Sequence, residues 1–172
     1  EVVTALLAAN ADASQVVSHG ATPLHLACQN GHTEVVTKLI AANAAINRAN
    51  DRAITPLWSA CQKGHTEIAA KLIAANANPD LPNNNGTTPL YVACQKGHTE
   101  VVTALLAADA NVNQAGINGT TPLIIACQNG RTEIVTKLIA ANADVNQAMN
   151  NGATPLHAAC PKGHAEIVTK LL

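Results

Sequence analysis

Cysteine and histidine recur together in this chain at a spacing that invites metal chemistry. Cys28 precedes His32 by four residues, and Cys61–His65, Cys94–His98 and Cys160–His164 repeat the pair, while Cys127 is followed by Arg131. Thiolate and imidazole are the usual ligands of structural zinc, which takes four of them in a tetrahedron. A glycine lies between the two members of every pair, and successive pairs stand a whole repeat apart, about 10 Å for packed helices. Four ligands therefore do not converge, and we expect no metal site. Bridged cysteines need Cα atoms within about 7 Å, so the same separation predicts free thiols. The carboxylates are equally regular. Glu1, Glu34, Glu67, Glu100, Glu133 and Glu166 occupy one recurring position, four of them with lysine four residues on. That spacing makes surface ion pairs along a helix, not a catalytic acid and base. The aspartates are scattered, and no glycine-rich phosphate loop is present. No catalytic residue, no cofactor and no enzyme activity are expected.

The regularity itself is the dominant signal. Thr22-Pro23-Leu24 returns at Thr55, Thr88, Thr121 and Thr154, every 33 residues without insertion or deletion. The cysteines and glutamates keep the same beat. Of 172 residues, 48 % are apolar and only 12 % charged, about half the usual charged fraction. Phenylalanine is absent, and Trp58 and Tyr91 are single. Thin layers of Ala, Leu, Ile and Val, repeated many times, suit this composition better than one large core. The net charge of −1 argues against a phosphate-backbone binder, which needs a basic stripe. No apolar run approaches the ~20 residues that span a bilayer.

Each unit reads as two short helices and a turn. Thr22 is a good N-cap, and Pro23 falls at the first helical position, where proline is favoured. Gly31 stops that helix about two turns later. A second helix runs over Glu34–Ala42, with Val35, Val36, Leu39 and Ile40 at helical spacing and Glu34 facing Lys38. Asn43 ends it, since asparagine tolerates the left-handed conformation of a C-terminal cap. The turn residues that follow show no helical period. Helices this short cannot bury an apolar face alone and must stack on copies of themselves.

The run Thr22-Pro23-Leu24-His25-Leu26-Ala27, then Gly31-His32, Val35-Val36 and Leu39-Ile40, closely resembles the ankyrin repeat, and the likeness covers the whole chain. The resemblance implies an all-α repeat fold, an ankyrin-type α-solenoid of helix-turn-helix units with short β-hairpin loops. It predicts one repeat domain over 1–172: a partial repeat at 1–16, full repeats at 17–49, 50–82, 83–115 and 116–148, and a partial repeat at 149–172. Several positions depart from the pattern. The glycine that usually ends the second helix is Asn10, Asn43, Asn76, Asp109 or Asn142, and the hairpin glycine is Ala53 in one unit. Pro79 and Pro82 remove hydrogen-bond donors and predict an irregular loop, while Pro161 should loosen the last first helix. The motif histidine, present at His25 and His157, is Trp58, Tyr91 and Ile124 in the middle units.

The resemblance also implies a protein–protein interaction module that holds its partner on the concave face, by hairpin tips and first-helix ends. In the middle units these positions are Asp51, Arg52, Ile54, Trp58, Gln62 and Lys63; Asn84, Asn85, Thr87, Tyr91, Gln95 and Lys96; and Ile117, Asn118, Thr120, Ile124, Gln128 and Asn129. Aromatic and aliphatic anchors ringed by polar groups are what interface hot spots need, but Trp58 and Tyr91 could equally fill space under the hairpins. Asn47, Asn113 and Asn146 match the hairpin asparagine that an asparaginyl hydroxylase can modify in animal members of the family. Near-identical middle copies leave open a structural spacer or self-associating solenoid. Val2, Val3, Leu6, Leu7, Ile167, Val168, Leu171 and Leu172 belong to ordinary internal helices rather than polar caps, which predicts end-to-end association. No nucleic acid and no membrane partner is expected. Reduced cysteines point to a reducing intracellular compartment, the cytoplasm, or a host cytosol for an exported bacterial protein.

Overall fold

The structure, a computed structural model, describes residues 2–172. The described residues form helices and turns, with no strand. After a lone helix α1 (Val2–Ala8) come four helix pairs: α2 (Pro23–Asn30) with α3 (Thr33–Ala41), α4 (Pro56–Lys63) with α5 (Thr66–Ala74), α6 (Pro89–Lys96) with α7 (Thr99–Ala107), and α8 (Pro122–Gln128) with α9 (Thr132–Ala140). A last pair joins α10 (Pro155–Ala159), extended by a 3₁₀ turn at Cys160–Lys162, to α11 (Ala165–Leu171). First helices pack on first helices (α2 on α4, α4 on α6, α6 on α8, α8 on α10), and second helices form a parallel row behind them.

Local chemistry starts the first helices and stops both members of each full pair where the sequence places them. The Thr55, Thr88 and Thr121 hydroxyls accept the backbone N–H of Trp58, Tyr91 and Ile124 at 3.1 to 3.2 Å. Each threonine is extended and precedes a proline at the first helical position. At the far end of α4, Gly64 is left-handed (φ 76°), and a Cβ there would fall 2.6 Å from His98 Nδ1. Glycine is thus required twice over, by conformation and by the ring lying on it. Second helices close on Asn43, Asn76, Asp109 and Asn142, all left-handed, and the next N–H reaches back, as from Ala44 to the Leu39 carbonyl at 3.0 Å. Pro161 has the expected effect: α10 spans five residues before the 3₁₀ turn, against eight in α4.

The loop holding Pro79 and Pro82 is regular, contrary to expectation. It keeps the turn of the other units, with Asp80 N–H bonded to Asn78 Oδ1 at 2.9 Å, as Asn113 is to Asn111. The reason lies in the donors that proline deletes. Ile46, Val112 and Val145, equivalent to Pro79, and Ala49, Ala115 and Ala148, equivalent to Pro82, donate no hydrogen bond among the described residues. Proline removes nothing that was used.

Between the units, the core is built from small side chains. Ala60, Cys61, Ala93, Cys94, Ala126 and Cys127 are fully buried where neighbouring first helices meet, and Leu57, Leu72, Leu90, Leu105, Leu123 and Leu138 fill the space between rows. The hairpins are single turns closed by paired backbone bonds, as Asn83 N–H to Thr87 O at 3.0 Å and Gly86 N–H to Asn83 O at 2.8 Å. One turn carries visible strain, since Ala53 is left-handed (φ 55°) where the other units have glycine. Ala53→Gly should raise stability by about 0.5 to 1 kcal/mol, because relief of a strain of ~1–2 kcal/mol is offset in part by the freer unfolded chain. Urea denaturation with an unchanged slope would measure it.

Candidate binding surface

The first helices and hairpins meet along one side of the stack, and the expected binding residues lie there. Successive hairpins are tied tip to tip. Asp51 N–H donates to His19 O (3.3 Å), Asn84 to Arg52 (3.1 Å), Ile117 to Asn85 (3.2 Å) and Asn150 to Asn118 (3.1 Å). The Asn84 and Asn150 amides add bonds to Asp51 O and Ile117 O at 3.2 and 3.1 Å. Asn50 and Asn83 shape the turns from within, each Oδ1 accepting two backbone N–H groups of its own hairpin.

Below the tips, a second set of bonds runs from each first helix to the next hairpin. His25 is buried; its Nδ1 faces the Thr22 hydroxyl at 2.8 Å and accepts the Thr22 N–H at 3.0 Å. Its Nε2 then donates to Ile54 O, 2.9 Å away in the next unit. Burial holds this imidazole below its usual pKa, consistent with a neutral ring carrying its proton on Nε2. Trp58 occupies the same position one unit on, and its Nε1–H donates to Thr87 O at 3.1 Å. Ile54 and Thr87 are 33 residues apart, so the indole reproduces the histidine's forward bond, though not its Nδ1 contacts with the capping threonine. Trp58 is 7 % exposed and Ile124 only 1 %. Tyr91 is half-buried, and burial raises its phenol pKa. Ile117, 65 % exposed, stands out at a tip.

Two grooves open between the hairpins and the first helices. One, about 530 Å³, brings together Trp58, Asn85, Thr87, Tyr91, Gln95, Ile117, Asn118 and Thr120, with Asn83, Val92 and Gly116 completing its wall. The other, about 580 Å³, gathers Asp51, Arg52, Ile54, Trp58 and Gln62 together with His19, His25, Gln29 and Asn50. Trp58 stands in both, as the partition. Lys63, Asn84, Lys96, Ile124, Gln128 and Asn129 lie outside these walls. Asn129 reaches back to Gln95 O at 3.5 Å. Among the described residues, the side chains of Gln62, Asn85, Gln95 and Asn118 make no hydrogen bond and are left to the solvent. Asn50 and Asn83 escaped the sequence reading; both precede hairpin tips as turn-forming residues do.

The remaining candidates sit elsewhere. The Asn47 Oδ1 accepts the Asn78 N–H at 2.8 Å, and Asn113 accepts Asp144 likewise; Asn146, in the last full unit, is exposed. The histidines opening second helices turn away from their cysteines, His65 over Gly31 and His98 over Gly64. His98 Nε2 lies 3.2 Å from Gln62 O. Among the described residues, no three His, Cys, Asp or Glu side chains gather as a metal would need. Cys28, Cys61, Cys94 and Cys127 are buried, and desolvation pushes Cys28 and Cys127 up to about 12 and the other two higher still. No helix among the described residues is long and apolar enough to cross a membrane.

The family model described as ankyrin repeats (3 copies) matches residues 1–81, 37–115 and 106–172. This chain belongs to the ankyrin repeat family. Ankyrin repeats are generally protein–protein interaction modules and typically not enzymes. No curated protein matches the chain. Within the ankyrin array, Trp58→Phe should cost about 1 kcal/mol through the lost bond to Thr87 O, with little change in helicity, read by denaturant titration. Thiol titration of the native protein with an aromatic disulfide should show Cys160 reacting at once. The four buried thiols should follow only on unfolding.

Proposed function

We propose that this ankyrin array recognises a protein along the side where hairpin tips and first-helix ends meet, centred on the units 50–82, 83–115 and 116–148 of a single repeat domain spanning 1–172. One observation carries the reading: two adjoining grooves lined by unbonded amides of Gln62, Asn85, Gln95 and Asn118 around the half-buried Tyr91 and exposed Ile117. An apolar ledge ringed by unused donors and acceptors is what a polypeptide interface requires. Trp58 supports it from below as the wall between the grooves, its N–H already committed. Ile54 and Ile124 act in the same supporting way, while Lys63, Asn84, Lys96, Gln128 and Asn129 form the rim. Under this reading the array works without cofactor or metal, and its reduced thiols suit a reducing compartment.

Tyr91→Ala combined with Ile117→Asp should leave circular dichroism and thermal unfolding near wild type but abolish capture of a partner from an extract of the source cell. Equal capture by the variant, with its fold intact, would reject the site. Hydroxylation of Asn47, Asn113 or Asn146 is a further proposal, and one added oxygen on the corresponding tryptic peptides would establish it. A second reading, end-to-end association, draws on Val2 (72 % exposed), Leu6 (55 %) and Leu172 (90 %) at the two ends of the stack. It predicts a sedimentation coefficient that rises with concentration.

A further inference from the structure

Charge is unevenly shared between the two sides of this ankyrin stack. Arg52 lines one groove. Lys63 and Lys96 are exposed one helical turn beyond the groove-lining Ser59 and Val92, and Lys162 stands at the equivalent position of the last unit. Against these four cations the same strip carries one carboxylate, Asp51, whereas the rest of the sequence holds ten carboxylates to six cations. Four lysines of the second helices (Lys38, Lys71, Lys137 and Lys170) are each paired with the glutamate one turn before. Arg52, Lys63 and Lys96 enter no ion pair among the described residues. The strip is therefore locally basic on a molecule of net charge −1.

Building on the binding surface proposed above, we infer that its partner is an acidic, extended polypeptide segment that seats an apolar side chain in the Tyr91–Ile117 groove and sets its carboxylates against Arg52, Lys63 and Lys96. Charge chooses the face as well as the partner, because the lysines of the second helices are already paired with glutamates and leave an acidic segment no free cation on those helices. The apolar anchor fixes register, since the three cations lie one unit apart or less along the stack and would otherwise permit sliding. A nucleic acid fits less well: among the described residues Tyr91 is half-buried, Trp58 is buried, and the cations are few.

Fluorescence anisotropy of the purified chain tests this, using labelled peptides of about 12 residues, which span ~40 Å when extended. Three pools share the same apolar residues and differ in carrying Asp and Glu, Ser and Gln, or Lys and Arg. An oligouridylate forms a fourth probe. The acidic pool should bind about tenfold more tightly than the neutral one, as expected of three exposed ion pairs, with the margin shrinking in high salt. Lys63→Glu with Lys96→Glu should remove that margin at unchanged circular dichroism, while Lys71→Glu with Lys137→Glu should not. Tyr91→Ala should weaken all peptide pools together. Neutral or basic pools binding as well as the acidic one, yet lost in Tyr91→Ala, would overturn the charge inference and leave the surface itself standing. Tighter binding of oligouridylate than of any peptide would also overturn it. Peptide binding indifferent to Tyr91→Ala would reject the surface.

Discussion

Close approach of neighbouring first helices is the constraint from which the rest of this molecule follows. Helices of eight or nine residues, such as α4 and α5, are marginal in water when isolated, where ~12–15 residues are needed even for good helix formers. They persist because each lends its neighbour an apolar wall. The walls can touch only if the side chains between them are small, and Ala60-Cys61, Ala93-Cys94 and Ala126-Cys127 meet that demand in turn. Cysteine here is a compact apolar filler. Its raised pKa is a consequence of that burial and leaves no thiolate for chemistry. The absence of phenylalanine has the same origin, since a ring at these positions would push the units apart.

Directional hydrogen bonds then fix the register that apolar packing alone would leave loose. His25 and Trp58 donate forward to the next hairpin, while the side-chain oxygens of Asn47, Asp80 and Asn113 each accept the backbone N–H of a residue 31 places on. Each unit thus bonds only to its immediate neighbours, and stability becomes a sum over neighbours. Where the described stack stops, the groups are present without the successor, as with His157, which keeps only its own Thr154 contact.

Helix bounds, the repeat and the mode of stacking were legible because each rests on local chemistry: Thr-Pro starts, glycine and asparagine stops, and apolar spacing. The Pro79–Pro82 loop was misread for a reason that no local rule reveals. Whether a lost N–H matters depends on whether the fold was using it, and here it was not. Trp58 was ambiguous from the sequence, which could not tell a buried donor from a binding anchor. The decisive fact is a carbonyl 29 residues ahead, invisible to spacing arguments but set by the stack. Tyr91 and Ile124 share that position without a polar bond to the next hairpin, so the bond is optional while the space is not. Occupancy of the position is structural, and what varies is how far the side chain reaches toward the groove.

That distinction bears on how a repeat acquires a binding surface at all. A residue that supports its neighbours in every copy is held to one shape. A residue at the hairpin tip or the last turn of the first helix touches little and is free to differ. Asp51-Arg52, Asn84-Asn85 and Ile117-Asn118 diverge in this way while the threonine, proline and leucine beneath them stay constant. The glutamate–lysine pairs of the second helices recur, so the back of the stack presents a repeated and nearly balanced charge. The front presents a sequence of different ones. On the proposed surface, recognition would reside in the order of side chains along the strip, because the paired charges of the second helices repeat and distinguish no register.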